Sequence, residues 1–449
     1  MLQHATLRQL ILSVIKANQH KSSCMKKTCL PIVVIISVSF ILQGCIKDTC
    51  ESSHQYSYYS PLYKTKAAVK ANIKSNPSRQ IANTGKIFTI GNYIFLNEID
   101  KGIHVIDNSN PSSPKNIAFI DIPGNMDIAV KGNILYADVF TDMVALDISN
   151  PLNVTVTKFI EGVFPFRYWG GGLAADTNMV IVDWVKRDTI VYQNCNSMGQ
   201  VYLGREVYFD RSQALNNSSG NGQVKSSSPV GTGGSMARFA LLNSRLYTVS
   251  NQDLNIFNIT TPETPVYVKK VAVSNWNVET LFPFENKLFI GSSNGMFIYS
   301  VNSADNTELE GQFAHVRSCD PVIADDHFAY VTLSSGSQCG GFTNQMDVLN
   351  ISNISNPVLV KSYPLTSPHG LSKDKNVLFV CDGTDGLKIF DASDAGNIIT
   401  LKQITGFETY DVIANNNKAI VIAKDGLYQY NYADVNNIKL LSKLTIVKD

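Results

Sequence analysis

Short hydrophobic runs recur along the chain, and each ends in Asn or Asp, most often followed by Ser, Thr or Pro within a few residues. Where neighbouring copies are clear they lie 40 to 50 residues apart, and only residues 193–236 break the rhythm. A fixed period of this length indicates a repeat architecture. The copies read IDNSNP (106–111), LDISNP (146–151), FNITTP (257–262), LNISNISNP (349–357), FDASDA (390–395) and YNYADV (430–435).

Each repeat contains four predicted strands, of which the recurring hydrophobic run is the third. Tight turns such as Asn294-Gly295 and Asp385-Gly386 precede this run, and such pairs accept the positive φ of hairpin turns. Helical periodicity is almost absent. Four short strands per repeat predict an all-β fold, a β-propeller of four-stranded blades. Residues 85–446 accommodate eight blades of about 45 residues, with seven blades and an insertion at 163–236 as the alternative.

The third strands also carry a family resemblance. Ile103-His104-Val105-Ile106-Asp107, Val144-Ala145-Leu146-Asp147 and Leu387-Lys388-Ile389-Phe390-Asp391 resemble the LVIVD repeat. The resemblance covers about residues 85–446 and is poor in the third repeat. Many members of that family are predicted lipoproteins of Bacteroidetes. The resemblance therefore implies a propeller fold and a place in the cell envelope, and it supplies no catalytic residues.

The N-terminus has the pattern of a lipoprotein signal. Lys26-Lys27 precedes a 13-residue apolar run, Leu30–Leu42, which is too short to span a bilayer. The run leads into Leu42-Gln43-Gly44-Cys45, which resembles a bacterial lipobox with Cys45 as the lipidated residue. We predict an upstream extension at 1–24, a signal peptide at 25–44, and a lipidated Cys with a tether at 45–84. A signal anchor with an incidental Cys is the alternative.

The composition bears on the class of protein, and the residues that follow Cys45 bear on its location. The chain has 449 residues, 44% of them hydrophobic and 17% charged, which excludes a disordered chain. With 38 Lys and Arg against 37 Asp and Glu, no basic surplus indicates nucleic acid.

Position +2 after Cys45 is not Asp, so an outer-membrane lipoprotein is expected. Lys47-Asp48 resembles a surface-export tag, which makes surface display a hypothesis. Residues 62–74 are expected to contain a short helix.

Aligning the repeats identifies residues that share the mouth of the channel. Counting back eight residues from the second-strand position of Leu135 gives Lys86, Asp127, Gly172, Arg238, Thr280, Asp320, Gly370 and Asp411. Glu279 and His369 precede two of these positions. Polar groups at a channel mouth suggest a ligand site, although they also serve to hold blades together. The candidate ligand-binding residues are Asp127, Trp169, Arg238, Glu279, Asp320, His369 and Asp411.

Cysteines and acidic turns give two further expectations. Cys319 begins a repeat and Cys339 lies in its long loop on the same face, so we predict a Cys319–Cys339 disulfide. No Cys-x-x-Cys or His-Glu-x-x-His motif occurs, and no metal site or cofactor is predicted. The turns at 138–142 and 382–386 contain oxygen ligands of the kind that Ca²⁺ uses, but their spacing is not that of an EF-hand.

Three functions remain open at this point. The first is a non-catalytic envelope lipoprotein that binds a protein or glycan partner through the channel-mouth face, with the loop 210–236 as a lid or docking arm. The second is a hydrolase or lyase acting on a glycan or small metabolite, with His369 as general base beside Asp320 and Asp411. The third is a purely structural envelope scaffold.

Overall fold

The computed structural model describes residues 51–166, 178–194, 232–273, 278–301, 306–315, 321–335 and 343–447. The chain divides into two compact units, residues 1–58 with 187–204 and residues 59–186 with 205–449. The described part of the first unit is one end of a two-stranded ribbon of β1 (Glu51–Thr65) and β11 (Met179–Asn194). The second unit contains the propeller. No helix in the described ranges is long and apolar enough to cross a membrane.

Seven blades form the propeller in the part of the chain that the structure describes, so the first interpretation of eight blades is wrong and the seven-blade alternative is confirmed. Each blade is an antiparallel sheet whose strands pair in chain order. Blade 1 contains β3 (Thr84–Ile90), β4 (Tyr93–Glu98), β5 (Gly102–Asp107) and β6 (Lys115–Asp121). Blade 2 contains β7 (Ile128–Lys131), β8 (Ile134–Val139), β9 (Asp142–Asp147) and β10 (Thr155–Ile160). Blade 3 contains β13 (Phe239–Leu242), β14 (Arg245–Val249), β15 (Asp253–Asn258) and β16 (Val266–Ala272).

The remaining blades follow one another along the chain. Blades 4 to 7 are β17 (Val278–Phe284), β18 (Lys287–Ser292), β19 (Gly295–Val301), β20 (Thr307–Ala314); β21 (Val322–Ala324), β22 (Phe328–Leu333), β23 (Gln345–Asn350), β24 (Val358–Pro364); β25 (Leu371–Asp374), β26 (Val377–Cys381), β27 (Leu387–Asp391), β28 (Ile399–Ile404); and β29 (Thr409–Asn415), β30 (Lys418–Ala423), β31 (Gly426–Asn431), β32 (Lys439–Thr445).

The described residues of the expected third repeat do not form a blade, because their strand pairs elsewhere. β11 lies within that repeat and pairs with β1. Blades 2 and 3 pack directly against each other in one hydrophobic core. The Tyr136 hydroxyl donates to the Pro262 carbonyl at 2.9 Å, and the Lys131 ammonium donates to the Asn243 carbonyl at 3.2 Å. Residues 161–231 are therefore an insertion between two adjacent blades.

The recurring Asx residues cap the turn between the third and fourth strands. In blade 1, Asp107 Oδ1 accepts the Ser109 N–H at 2.9 Å and Asn110 Oδ1 accepts the Ser112 N–H at 3.1 Å. Hydrogen bonds from the Ser109 N–H and from the Ser109 side chain lower the pKa of Asp107. The same capping recurs at Asp391 in blade 6. In every blade a register shift accompanies the pairing of the third and fourth strands, which identifies the repeats as equivalent.

The second strands supply the core between blades. Their third residue is a buried aromatic in six blades, and the seventh blade has Ile420 there. The aromatic residues are Phe95, Tyr136, Tyr247, Phe289, Tyr330 and Phe379. Each fills the space between two sheets, where burying a side chain of this size contributes about 2 to 3 kcal/mol.

Residues 66–83 belong to the propeller, which shortens the expected tether. The expected helix is α1 (Lys66–Ala71), which begins at Thr65, whose Oγ1 accepts the Ala68 N–H at 3.1 Å. Val69 of this helix is buried in the core of blades 1 and 2. β2 (Lys74–Pro77) then pairs with β6 as a fifth strand of blade 1.

Ring closure depends on the segment that follows β2. Ile81 forms a parallel bridge with Ile446, and the two lie in one hydrophobic cluster shared by blades 1 and 7. Arg79 is held in blade 1 by an ion pair of 2.7 Å with Glu98 and by a cation–π contact of 3.7 Å with the Phe119 ring. The N-terminal segment thus joins the first blade to the last without exchanging a strand.

Candidate functional site

A short peptide occupies the centre of the propeller. We call residues 232–237 the channel segment; its first part, β12 (Thr232–Gly233), pairs with β3, the innermost strand of blade 1. The Gly234 N–H donates to the Ile87 carbonyl at 2.9 Å, and the Ala237 carbonyl accepts the Leu281 N–H of blade 4 at 3.1 Å. We expected 210–236 to lie on the mouth face. Residues 232–236 lie in the channel instead, and residues 210–231 lie outside the described residues.

Asp411 of blade 7 is packed against the channel segment. Its Oδ1 accepts the Val412 N–H at 2.9 Å and the Ser235 hydroxyl at 3.3 Å. Ser235 Oγ also accepts the Leu371 N–H of blade 6, so one buried hydroxyl joins three parts of the chain. A Cβ atom on Gly234 would stand 2.0 Å from Asp411 Oδ2, and one on Gly370 would stand 2.1 Å from Oδ1. Two glycines therefore make room for this carboxylate.

The channel segment covers a cluster of buried charges. Lys86, Asp127, Asp138 and Asp411 are all buried. Burial raises the pKa of Asp411 to about 7 and that of Asp127 to about 6, while the charge of Lys86 opposes both shifts. Burial lowers the pKa of Lys86 to about 8, against the attraction of these carboxylates. The charges of these side chains interact strongly because their surroundings have a low dielectric constant. Protonation of one of them therefore changes the pKa of the others.

Hydrogen bonds hold Asp127 within this cluster. Asp138 Oδ1 accepts the N–H groups of Met126 and Asp127 at 2.8 and 2.9 Å, which fixes the turn before β7. Asp127 Oδ2 then accepts the Arg238 N–H, where the channel segment leads into blade 3, and its Oδ1 accepts the Ile128 N–H at 2.7 Å. Asp127 therefore joins blade 2 to the end of the channel segment.

The repeat alignment correctly brings several mouth positions together. Lys86, Asp127, Arg238 and Asp411 interact electrostatically, and Gly370 lies against Asp411. Arg238 and Glu279 are half-buried. Trp169 and Asp320 lie outside the described residues, as does Gly172. The burial of Asp127 and Asp411, at 2% and 4% exposure, favours a structural role for both carboxylates.

A half-buried patch remains at the mouth of blades 6 and 7. It consists of the half-buried His369, Phe407, Glu408 and Tyr410 together with the exposed Lys424, and we call it the mouth patch. The rings of His369 and Tyr410 meet edge to face with centroids 5.9 Å apart. The Tyr410 hydroxyl donates to Glu408 Oε1 at 3.1 Å, and Glu408 is paired with Lys424. Burial lowers the pKa of His369, so its imidazole is neutral at pH 7.

The acidic turns have other partners than a metal ion. Asp382 and Asp385 both bind the Lys388 ammonium, and Asp142 forms an ion pair of 2.7 Å with Lys70. Within the described ranges, no three His, Cys, Asp or Glu side chains are grouped to hold a metal. Lysine ammonium groups therefore pair with Asp142, Asp382 and Asp385, and a Ca²⁺ site at these turns stays a prediction.

The cysteine predictions fall mainly beyond the described residues. Cys319, Cys339 and Cys45 all lie outside them. Cys381 is described, and its thiol is free and buried in β26. Burial raises the pKa of this thiol, which keeps it protonated and unreactive.

Sequence reasoning missed the channel segment and its contacts. The signal was present, since Gly233, Gly234 and Ser235 are consecutive small residues directly before a first strand. Small side chains suit a peptide that lies close against Ile87, Phe88 and Asp411, as Gly233 and Gly234 do.

Comparison with known proteins supports the repeat assignment. Three segments match the LVIVD repeat. They are residues 83–119, 124–158 and 338–364, which fall in blades 1, 2 and 5. No curated protein matches the chain. The chain therefore contains LVIVD repeats, and its described residues form a β-propeller of seven blades.

Two solved structures are similar to the chain at low sequence identity. The chain is similar to a crystal structure of a protein from Lactobacillus plantarum, with 12% identity and a TM-score of 0.50 over 81% of this chain and 97% of that one. A functionally unknown protein from Desulfotomaculum acetoxidans is 10% identical, with a TM-score of 0.43 over 82% of this chain and 100% of that one.

Proposed function

We propose that the protein is a cell-envelope lipoprotein that binds a protein or glycan partner through the mouth patch, without catalysis. The Leu42-Gln43-Gly44-Cys45 motif supports the lipid anchor and an outer-membrane location. The closed ring of seven blades gives the patch a rigid support. The predicted Cys319–Cys339 disulfide and the surface display belong to the same proposal.

The mouth patch carries the binding role. Aromatic rings that are half-buried beside an ion pair offer stacking surface and hydrogen-bonding groups together, which is what protein and glycan recognition require. The pair of Glu408 and Lys424 is 27% and 42% exposed at its side chains, so a partner can reach it. The buried axis charges offer no comparable surface.

The alternative of a hydrolase or lyase receives less support from the geometry. A general base needs a partner that orients it, and within the described residues the His369 side chain forms no hydrogen bond. The Asp411 carboxylate already accepts hydrogen bonds from the Val412 N–H and the Ser235 hydroxyl. Asp320, the third residue of that hypothesis, lies outside the described residues.

Crosslinking in intact cells, followed by mass spectrometry and glycan analysis, tests the proposal. The wild type is compared with a Glu408→Ala, Lys424→Ala double variant and with Asp434→Ala, a control in the turn between the last two strands of blade 7. We expect a partner that is recovered with the wild type and the control and lost with the double variant. Equal recovery from all three would overturn the binding role and favour the structural scaffold.

A His369→Ala variant distinguishes binding from catalysis. A folded variant that loses turnover of an envelope glycan would favour the hydrolase or lyase. A folded variant whose partner binding changes severalfold, with no turnover in either protein, supports the binding module.

A further inference from the structure

Among the residues that the structure describes, the ribbon of β1 and β11 has no hydrophobic cluster of its own. Ser57 Oγ donates to Asp188 Oδ1 at 2.5 Å, and the Lys66 N–H donates to the Asn178 carbonyl at 3.0 Å, so the two strands run antiparallel. A two-stranded ribbon buries little surface between its strands and is marginal in water. Apolar side chains on it therefore remain exposed unless another surface covers them.

One end of the ribbon exposes large apolar side chains. Ile190 is 54% exposed and Tyr192 is 69% exposed, the highest value among the large apolar side chains that the structure describes. Two residues apart in one strand, they lie on the same side of the ribbon. The register that joins Ser57 to Asp188 places Tyr192 opposite the first residues of β1. The exposed pair is thus at the end of the ribbon where β1 begins.

The beginning of β1 is close in sequence to the predicted lipid anchor. Five residues, 46–50, separate Cys45 from Glu51. Even fully extended, the six steps from Cys45 to Glu51 span about 20 Å. An acylated Cys45 would hold this end of the ribbon within that distance of the bilayer surface, and Tyr192 lies at the same end.

The chemistry of this end suits a membrane surface. Tyrosine has an apolar ring and a polar hydroxyl, and such side chains concentrate at the interface between lipid and water. β1 contains Tyr56, Tyr58 and Tyr59 along the same stretch. Lys186 and Arg187 are exposed in β11, where they suit lipid phosphates.

We propose that residues 51–58 and 187–194 dock on the bilayer surface, with Ile190 and Tyr192 inserted at the lipid interface. This inference rests on the proposed lipoprotein anchor for its location. It adds a second attachment point, and one acyl group with a surface contact holds a protein far more firmly than either alone. The occupant of the exposed face is thus the lipid bilayer.

Flotation with vesicles tests this docking separately from the anchor. The chain from residue 46 onward, which contains every described residue, carries no acyl group, so any binding must come from the protein surface. It is mixed with vesicles of phosphatidylethanolamine and phosphatidylglycerol. An Ile190→Ser, Tyr192→Ser variant is compared with the wild type. The control is Val358→Ser, Leu359→Ser, an apolar pair 54% and 43% exposed on the outer strand of blade 5.

We expect the wild type and the control to float with the vesicles and the ribbon variant to bind about tenfold more weakly, because it loses two apolar side chains. If all three proteins floated equally, or if none of them floated, the proposed docking on the bilayer would be overturned. If the wild type formed a dimer and the ribbon variant did not, a second copy of the chain would cover the exposed face and the proposed bilayer docking would be overturned. Acyl labelling of Cys45 in cells tests the anchor independently, so either proposal can fail alone.

Discussion

Replacing Asp411 with Asn should remove a specific part of the dependence of stability on pH. The folded protein raises the pKa of Asp411 to about 7 from its ordinary value of 3.8, chiefly through burial. Between these two values the folded state retains a proton that the unfolded state has released. Unfolding then releases a proton, so the free energy of unfolding falls as pH rises through this window.

The expected magnitude follows from the width of the window. Each pH unit inside it changes the free energy of unfolding by about 1.4 kcal/mol for one group. From pH 4.5 to pH 6.5 the wild type should therefore lose about 2 kcal/mol through Asp411. In the Asp411→Asn variant the amide oxygen still accepts from Val412 and Ser235, and its amide group takes the place of the protonated carboxyl. The variant should fold and lack this contribution.

Urea unfolding at pH 4.5, 5.5 and 6.5 measures the effect. The control is Asp394→Asn, because Asp394 is exposed and caps the Gly396 N–H at 2.9 Å, a role that Asn also performs. The stability difference between wild type and Asp411→Asn should change by about 2 kcal/mol across the series, while the control follows the wild type. Parallel pH curves for all three proteins would refute the assignment of a buried, protonated Asp411.

Three further outcomes are expected. Gly370→Ala should lower the free energy of unfolding by about 1 to 3 kcal/mol in urea, because its methyl group would meet a buried carboxylate, whereas the exposed Gly396→Ala should leave it unchanged; equal effects would contradict this packing. Arg79→Ala should lower the melting temperature through about 1 kcal/mol of lost ion-pair and cation–π contact, and an unchanged melting temperature would remove Arg79 from ring closure. Peptide mapping without reductant should recover Cys319 joined to Cys339, and finding both thiols free would disprove the bridge.

The repeat itself could be predicted because its chemistry is local. An Asp at the end of a third strand, such as Asp107 or Asp391, caps an N–H only two residues later. The hydrophobic run before it and the turn after it are visible within a few residues. The alternation of strands and turns therefore predicts blades without knowledge of any distant contact.

The number of blades could not be predicted in the same way. Residues 179–194 have the hydrophobic pattern of a strand, and they are one. A pattern of this kind reports the strand and not its partner, and the partner here is β1, more than a hundred residues earlier. The eighth blade was counted from a real strand that pairs outside the ring.

The mouth positions show the same limit at the level of the site. Counting residues from the second strand correctly grouped Lys86, Asp127 and Asp411. It could not show that the channel segment fills the space between them, because Ser235 reaches Asp411 from a different part of the chain. Burial, and with it the structural role, depends on that non-local contact.

The residues near the channel mouth are of two kinds, because replacing one kind should change stability and replacing the other should change binding. Asp411 lies beneath the channel segment, so a change there acts on stability and on pH dependence. His369 and Tyr410 lie at the surface of the same face, so changes there act on whatever binds the patch. If the Asp411→Asn variant, folded and stable, also lost the partner, the channel segment itself would have to open for binding. If it kept the partner, recognition would belong to the surface of blades 6 and 7 alone.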